Sequence, residues 1–311
     1  MNERFQIAIK LIASHIILIV CLILFSIAST NDKYLSVSIS QTALIILFLS
    51  GYWEFFGIRF RKLFCSVIQM LIIAVFVWRV QHDRSDAMNL RLVLCLSVVQ
   101  AYLLVELIKI MIVIWKRDKV FQEILFPFKS GLYLITDGGN SKISRFMNYH
   151  YYSPTHRKNN TNNSMLYATD IVKLATEKTA FLPATNDKYL IFGEEIVSPL
   201  DGTVVKVENN IPDNDTFSGN YPYNTGNTIV IQQGNYFLLM GHLKQGSIKV
   251  REGDFVQRND LLGLVGNSGW TERPHLHMQL IESSLSNYWS GRGVCMRYKN
   301  TNLYKNRLIK V

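Results

Sequence analysis

Cysteine is scarce in this chain. Of the 4 cysteines in 311 residues, Cys21, Cys65 and Cys95 lie within apolar runs, which leaves Cys295 alone in the remainder. An internal disulfide framework in the second half is therefore excluded, and with no Cys-x-x-Cys pair anywhere so is a cysteine zinc knuckle. Charge is sparse as well, at 18% Asp, Glu, Lys and Arg against 49% hydrophobic residues, a balance that excludes a disordered tail. The net charge of +10 is not gathered in the second half into basic clusters interleaved with aromatics. Nucleic acid is thus not an expected partner, and an anionic lipid or polymer suits the charge better. Sustained helical spacing is also lacking beyond about residue 126.

What is present divides the chain in two. Residues 1–120 carry +6 of the charge and four long apolar windows, Gln6–Ala28, Leu35–Phe56, Leu63–Val80 and Leu92–Trp115. A bilayer core of about 30 Å needs about 20 mostly apolar residues in helical form, so these windows predict a transmembrane region of about four helices over residues 1–120. The first window is too long for a signal-peptide core and has no Ala-x-Ala cleavage pattern, so it is read as a retained helix. The second opens on Ser36, Ser38, Ser40 and Gln41 and closes on Gly51 and Glu54, which leaves a re-entrant or interfacial placement open. Glu106 and Lys109, three apart, share a helical face near the end of the fourth window, where they pair or snorkel toward headgroups.

Lys and Arg collect unevenly around these windows. Eight sit with the amino terminus, the second loop and the segment after the fourth window, against four in the other two loops. By the positive-inside rule, four crossings would leave both ends of the membrane region in the cytoplasm.

From about residue 126 to 311 the pattern is short strands punctuated by turn signals. Gly131–Thr136 leads into Asp137-Gly-Gly-Asn, and Glu195–Leu200 meets Asp201-Gly202 before Thr203–Val207, which predicts a hairpin with a tight Asp-Gly turn. Asn227–Gln232, Tyr236–Met240, Ser247–Val250, Leu261–Val265 and His275–Leu280 continue the series. An all-β antiparallel domain over residues 126–311 is expected, packed as a β-sandwich.

Within it, His275-Leu276-His277 would set two imidazoles on one face of a strand and Leu276 in the core, because residues two apart on a strand point the same way. An isolated His-x-His is weak evidence. Here it follows Gly241-His242-Leu243, Val250-Arg-Glu-Gly-Asp-Phe-Val and Leu262-Gly-Leu-Val-Gly-Asn-Ser-Gly, with Tyr167-Ala-Thr-Asp170-Ile and Ser198-Pro-Leu-Asp-Gly-Thr-Val-Val upstream. In order, spacing and residue type this set resembles the lysostaphin/LytM-type zinc endopeptidases, peptidase family M23. The resemblance covers roughly residues 126–285 and says nothing about residues 1–120.

The resemblance implies a zinc metalloendopeptidase in which Asp170 and His277 bind Zn2+ while His242 and His275 stand beside the reacting carbonyl as catalytic groups. A catalytic zinc commonly takes three protein ligands and keeps a fourth place for water, whose pKa falls to about 7. A nearby imidazole can then handle the proton and stabilise the oxyanion. The family's usual histidine four residues before the aspartate is Leu166 here, which cannot ligate. His150 in Asn148-Tyr149-His150 is assigned as the third ligand, with His156 as the alternative. Gly263, Gly266 and Gly269 are expected to serve positive φ or close packing, and Trp270 and Tyr223 either the core or an apolar wall of the peptide groove.

The substrate class implied is peptidoglycan stem peptides or cross-bridges, the other partner being membrane lipid. Such a substrate places the domain outside a multi-pass cytoplasmic membrane, against the sense of the Lys and Arg count; three crossings instead of four would export it. The competing reading is an inactive scaffold that holds peptides or regulates another cell-wall hydrolase. A lipoyl-type carrier domain ranks last, because no lysine occupies a suitably flanked tight turn.

Overall fold

The computed structural model describes residues 118–311 apart from 153–161, 178, 220–223 and 285–286, together with residue 55 and part of the segment 98–116. Thirteen strands run through the described residues. They are β1 (Phe121–Glu123), β2 (Leu132–Asp137), β3 (Thr169–Lys173), β4 (Glu195–Val197), β5 (Gly202–Glu208), β6 (Asn227–Gln233), β7 (Tyr236–Leu243), β8 (Phe255–Val256), β9 (Leu261–Leu264), β10 (Leu276–Glu282), β11 (Arg292–Tyr298), β12 (Thr301–Asn302) and β13 (Leu308–Lys310). Eleven form one sheet, whose main path runs β13-β2-β3-β10-β7-β6-β5-β8; β11 continues from β10 and carries β1 and β12. The other two, β4 and β9, pair with each other.

Alternation along β10 explains how this sheet carries both a core and a site. Leu276, Met278 and Leu280 are buried in the main core with Ile171, Met240, Ile229 and Ile231, and Ile196 of β4 and Leu262 of β9 join the same cluster. The two-stranded sheet thus closes over one face of the large one, a lopsided sandwich. His277, Gln279 and Ile281 turn to the opposite face. There Ile281 packs with Val230, Phe237 and Leu239 in a second buried cluster.

Three expectations change. The pairing is antiparallel except between β1 and β11, which run parallel and bring residues 121–123 into the sheet. Glu195–Val197 and Gly202–Glu208 do not form a hairpin: β4 pairs with β9, whereas β5 pairs with β6 and β8. Asp201-Gly202 instead carries the chain from one sheet to the other. A Cβ on Gly202 would stand 2.5 Å from the carbonyl oxygen of Gln232, so glycine permits the close approach to β6. Ser247–Val250 forms no ladder either; Lys249 N–H donates to Leu262 O and Ile248 N–H to the Asn209 side chain.

Among the described residues no helix is long and apolar enough to cross a membrane. Windows Gln6–Ala28 and Leu63–Val80, nearly all of Leu35–Phe56, much of Leu92–Trp115, and Glu106 lie outside the described residues. Residues 112–114 are helical, and Ile110 and Val113 bury against Met147 of the loop that follows β2. The segment after them docks by polar contacts. Tyr167 Oη donates to the Asp118 carboxylate at 2.8 Å and accepts from Asn140 Nδ2, while Arg297 donates to the Asp118 carbonyl and Asn302 to that of Lys116. Tyr167→Phe removes a hydrogen bond to a charged acceptor, so a loss of about 1–2 kcal/mol is expected, read as a lower urea midpoint. An unchanged midpoint would mean that the Tyr167–Asp118 hydrogen bond adds nothing to stability.

Candidate metal centre

The cross-strand register assembles the site. Asp170 on β3 stands opposite His277 on β10, and His277 opposite Gly241 on β7. Directly opposed residues share a face and hold their Cβ atoms about 4.5–5.5 Å apart, so a carboxylate and an imidazole from positions 107 apart in sequence meet. His277 Nδ1 lies 2.9 Å from Asp170 Oδ1. His275, just before the strand, turns to the same face and brings Nε2 within 3.6 Å of that oxygen.

His242 reaches the site by a backbone irregularity. In the β6–β7 ladder Asn227 pairs with Leu243 but Ile229 with Met240, which leaves one extra residue on β7. Such a bulge re-aims a side chain. His242 adopts φ +61 there, unusual for a residue with a Cβ, and its N–H donates to Thr225 O at 2.6 Å. Its ring centroid stands 4.7 Å from that of His275 and 5.7 Å from that of His277.

His150 comes from outside the sheet, in the 3-10 turn His150–Tyr152, and its Nε2 lies 3.3 Å from Asp170 Oδ2. Leu166, at the position of the missing histidine, is buried with Tyr167 and Cys295. His156 and Tyr223 lie outside the described residues. Trp270 is 38% exposed, its ring against Gly219, a placement open to a groove wall. Gly269 has φ +84, whereas Gly266 meets the Lys244 backbone closely, so both kinds of glycine expectation occur.

Two carboxamides that the motif reading passed over stand behind His150 and His277. Asn148 donates through Nδ2 to Gly139 O and Ala168 O, each at 2.9 Å, which turns its Oδ1 toward His150 Nδ1 at 2.8 Å. Nδ1 of His150 therefore carries the proton, and Nε2 presents its lone pair to the Asp170 side. Gln279 Oε1 lies 3.1 Å from His277 Nε2. A signal for it existed in the sequence, since it stands two residues beyond His277 and so on the same face. His242 Nδ1 donates to Ser268 O at 2.8 Å and His275 Nδ1 to Arg273 O at 2.9 Å.

The donor set fits zinc. One atom each from His150, Asp170 and His277 lies within 4.8 Å of the others, all three residues being buried, and two imidazoles with one carboxylate suit the ion. Burial opposes ionisation of Asp170, but His150 and His275 outweigh it and hold the carboxyl well below the usual carboxylate range. Burial likewise opposes a charge on His150, yet Asp170 prevails and raises it. His242 and His275 are both lowered, chiefly by burial; the neighbouring His275 and His277 push His242 further down.

Signs follow for the metal-stripped protein. Below the ordinary imidazole value of about 6.5 the unfolded chain protonates His242 and His275 while the folded one does not, so folding stability falls with pH. The contribution of His150, raised in the folded state, is already complete below that pH and gives no further compensation. Asp137, raised by burial, takes up a proton in the folded state and offsets at most one of the two histidines. A net loss of stability from pH about 6.5 to about 5 is expected in denaturant titrations; a flat or rising profile would contradict the assigned charge states.

Residues 189–288 match the family model described as Peptidase family M23. The match takes in about one third of the chain. M23 peptidases are zinc-dependent, and the His150, Asp170 and His277 cluster is one that could hold the metal. Among curated proteins the chain is similar to the peptidoglycan DD-endopeptidase ShyA of Vibrio cholerae, 44% identical over 62 residues, 20% of this chain and 14% of that one. Endolysin 2638A of Staphylococcus phage 2638A is 43% identical over 61 residues, 18% of this chain and 13% of that one. The chain thus spans about one seventh of the length of the curated relatives it matches. Among solved structures, a zinc-containing peptidase from Vibrio cholerae aligns at 21% identity and a TM-score of 0.33 over 57% of this chain and 39% of that one.

Proposed function

We propose that this chain is a membrane-anchored, zinc-dependent endopeptidase that hydrolyses peptide bonds in peptidoglycan stem peptides or cross-bridges. The observation that carries the reading is the convergence of His150, Asp170 and His277 with two further imidazoles beside them. Held by these three residues, zinc would supply Lewis acidity and a water made nucleophilic at neutral pH. His242 and His275 handle protons. Each keeps Nδ1–H on a backbone carbonyl and so presents Nε2 as a lone pair. Neutral at working pH, an imidazole so placed accepts a proton from the attacking water and returns it to the leaving amine. Once protonated, it also stabilises negative charge on the carbonyl oxygen.

Peptidoglycan as the substrate class is supported by the name of the curated relative, a peptidoglycan DD-endopeptidase. Anchoring is supported by the apolar windows of residues 1–120. Because that polymer lies outside the cytoplasmic membrane, the M23 domain is placed outward, and a topology reporter fused after Val311 tests this by its activity on one side only. The function itself is tested by incubating the purified chain with isolated peptidoglycan and reading new amino and carboxyl termini by mass spectrometry. Cleavage suppressed by a chelator and restored by Zn2+ is the expected result. Zinc uptake without any new termini would leave a peptide-holding scaffold in its place.

A further inference from the structure

The second carboxamide at the centre has an odd position. Gln279 is fully buried on β10, opposite Leu239 and two residues from Ile281, both members of an apolar cluster. Its Oε1 meets His277 Nε2 at 3.1 Å, but its Nε2 is buried without a hydrogen-bond partner. An apolar side chain of similar length would extend the cluster and leave no orphaned donor. What glutamine supplies that such a residue cannot is an acceptor at His277 Nε2.

That acceptor decides which atom of His277 faces the metal cluster. A neutral imidazole carries one proton. With it on Nε2, pointing at Gln279, Nδ1 offers its lone pair on the side where Asp170 Oδ1 lies 2.9 Å away. His150 is arranged in the opposite sense by Asn148, with Nδ1 protonated and Nε2 toward Asp170. We propose that Gln279 is a positioning residue that fixes His277 in its Nε2–H tautomer, making it an Nδ1 zinc ligand. The inference rests on the reading that His150, Asp170 and His277 hold zinc. Groups that orient a ligating histidine through its second nitrogen typically change metal affinity by about 10–100-fold when removed.

The test compares the full-length chain with Gln279→Met, which keeps length and loses the amide acceptor, and Gln279→Glu, which restores an acceptor. Zn2+ affinity is measured by competition against a chelator of known affinity. Expected are a loss of about 10–100-fold for Gln279→Met and a value within a few-fold of the unaltered chain for Gln279→Glu. Should the buried glutamate prevent folding, nitrogen NMR of 15N-histidine in the zinc-loaded unaltered chain decides instead, with His277 expected to be protonated at Nε2 and metal-bound at Nδ1. Equal affinity for Gln279→Met and the unaltered chain overturns the inference while the zinc site stands. So do an equal loss in both variants and coordination through Nε2. Failure of the unaltered chain to take up zinc overturns this inference and the proposed function together.

Discussion

Asp170→Ala should lower zinc affinity by more than about 100-fold and with it abolish peptide hydrolysis. The lower bound is set by the outer partners of metal ligands, whose removal already costs about 10–100-fold; loss of a ligand itself exceeds that. Asp170 is also the hub of the metal-free site, since His150, His275 and His277 all approach its two oxygens. Without it, burial still lowers the pKa of His150 while the main influence raising it is gone, so that pKa falls from its raised position. Chelator competition measures the first effect and histidine NMR the second. Zinc bound by Asp170→Ala as tightly as by the unaltered chain would place the metal elsewhere.

A different split is expected for His275→Ala. His275 stands outside the trio that could hold the metal, with Nε2 3.6 Å from Asp170 Oδ1 and Nδ1 occupied by Arg273 O. Zinc content should therefore be retained while kcat/KM falls about 10²–10⁴-fold, the usual reach of a positioned general acid or base. That fall corresponds to about 3–5 kcal/mol of transition-state stabilisation. A loss under about tenfold, with the metal in place, would remove His275 from the proton-transfer role and leave it to His242.

How much of this was legible beforehand depends on how local each signal is. The His-x-His pair on one face and Leu276 in the core follow from the period of a strand, and the structure has them so. The resemblance put His150, or else His156, in place of the usual histidine lost to Leu166, and the structure brings His150 Nε2 to 3.3 Å from Asp170 Oδ2. The Asp201-Gly202 hairpin failed for a definite reason. Asp-Gly favours a tight turn wherever the flanking strands pair with each other, but here the two flanks belong to different sheets, one pairing with β9 and the other with β6. Ser247–Val250 looked like a strand because it alternates, yet alternation records burial on one side and does not require a ladder.

Sequence by itself determined the chemistry available: which imidazoles and which carboxylate exist, the spacing that sets His275 and His277 side by side, and the absence of a Cys-x-x-Cys pair that would have offered another metal site. It determined the division between an apolar first part and a strand-rich second part as well. Only the tertiary structure decided that Asp170 stands opposite His277, that a bulge turns His242 inward, and that the carboxamides of Asn148 and Gln279 stand beside the rings of His150 and His277. Those outcomes depend on register and on contacts between segments distant along the chain, and a one-residue slip of β3 or β10 would send Asp170 or His277 to the other face.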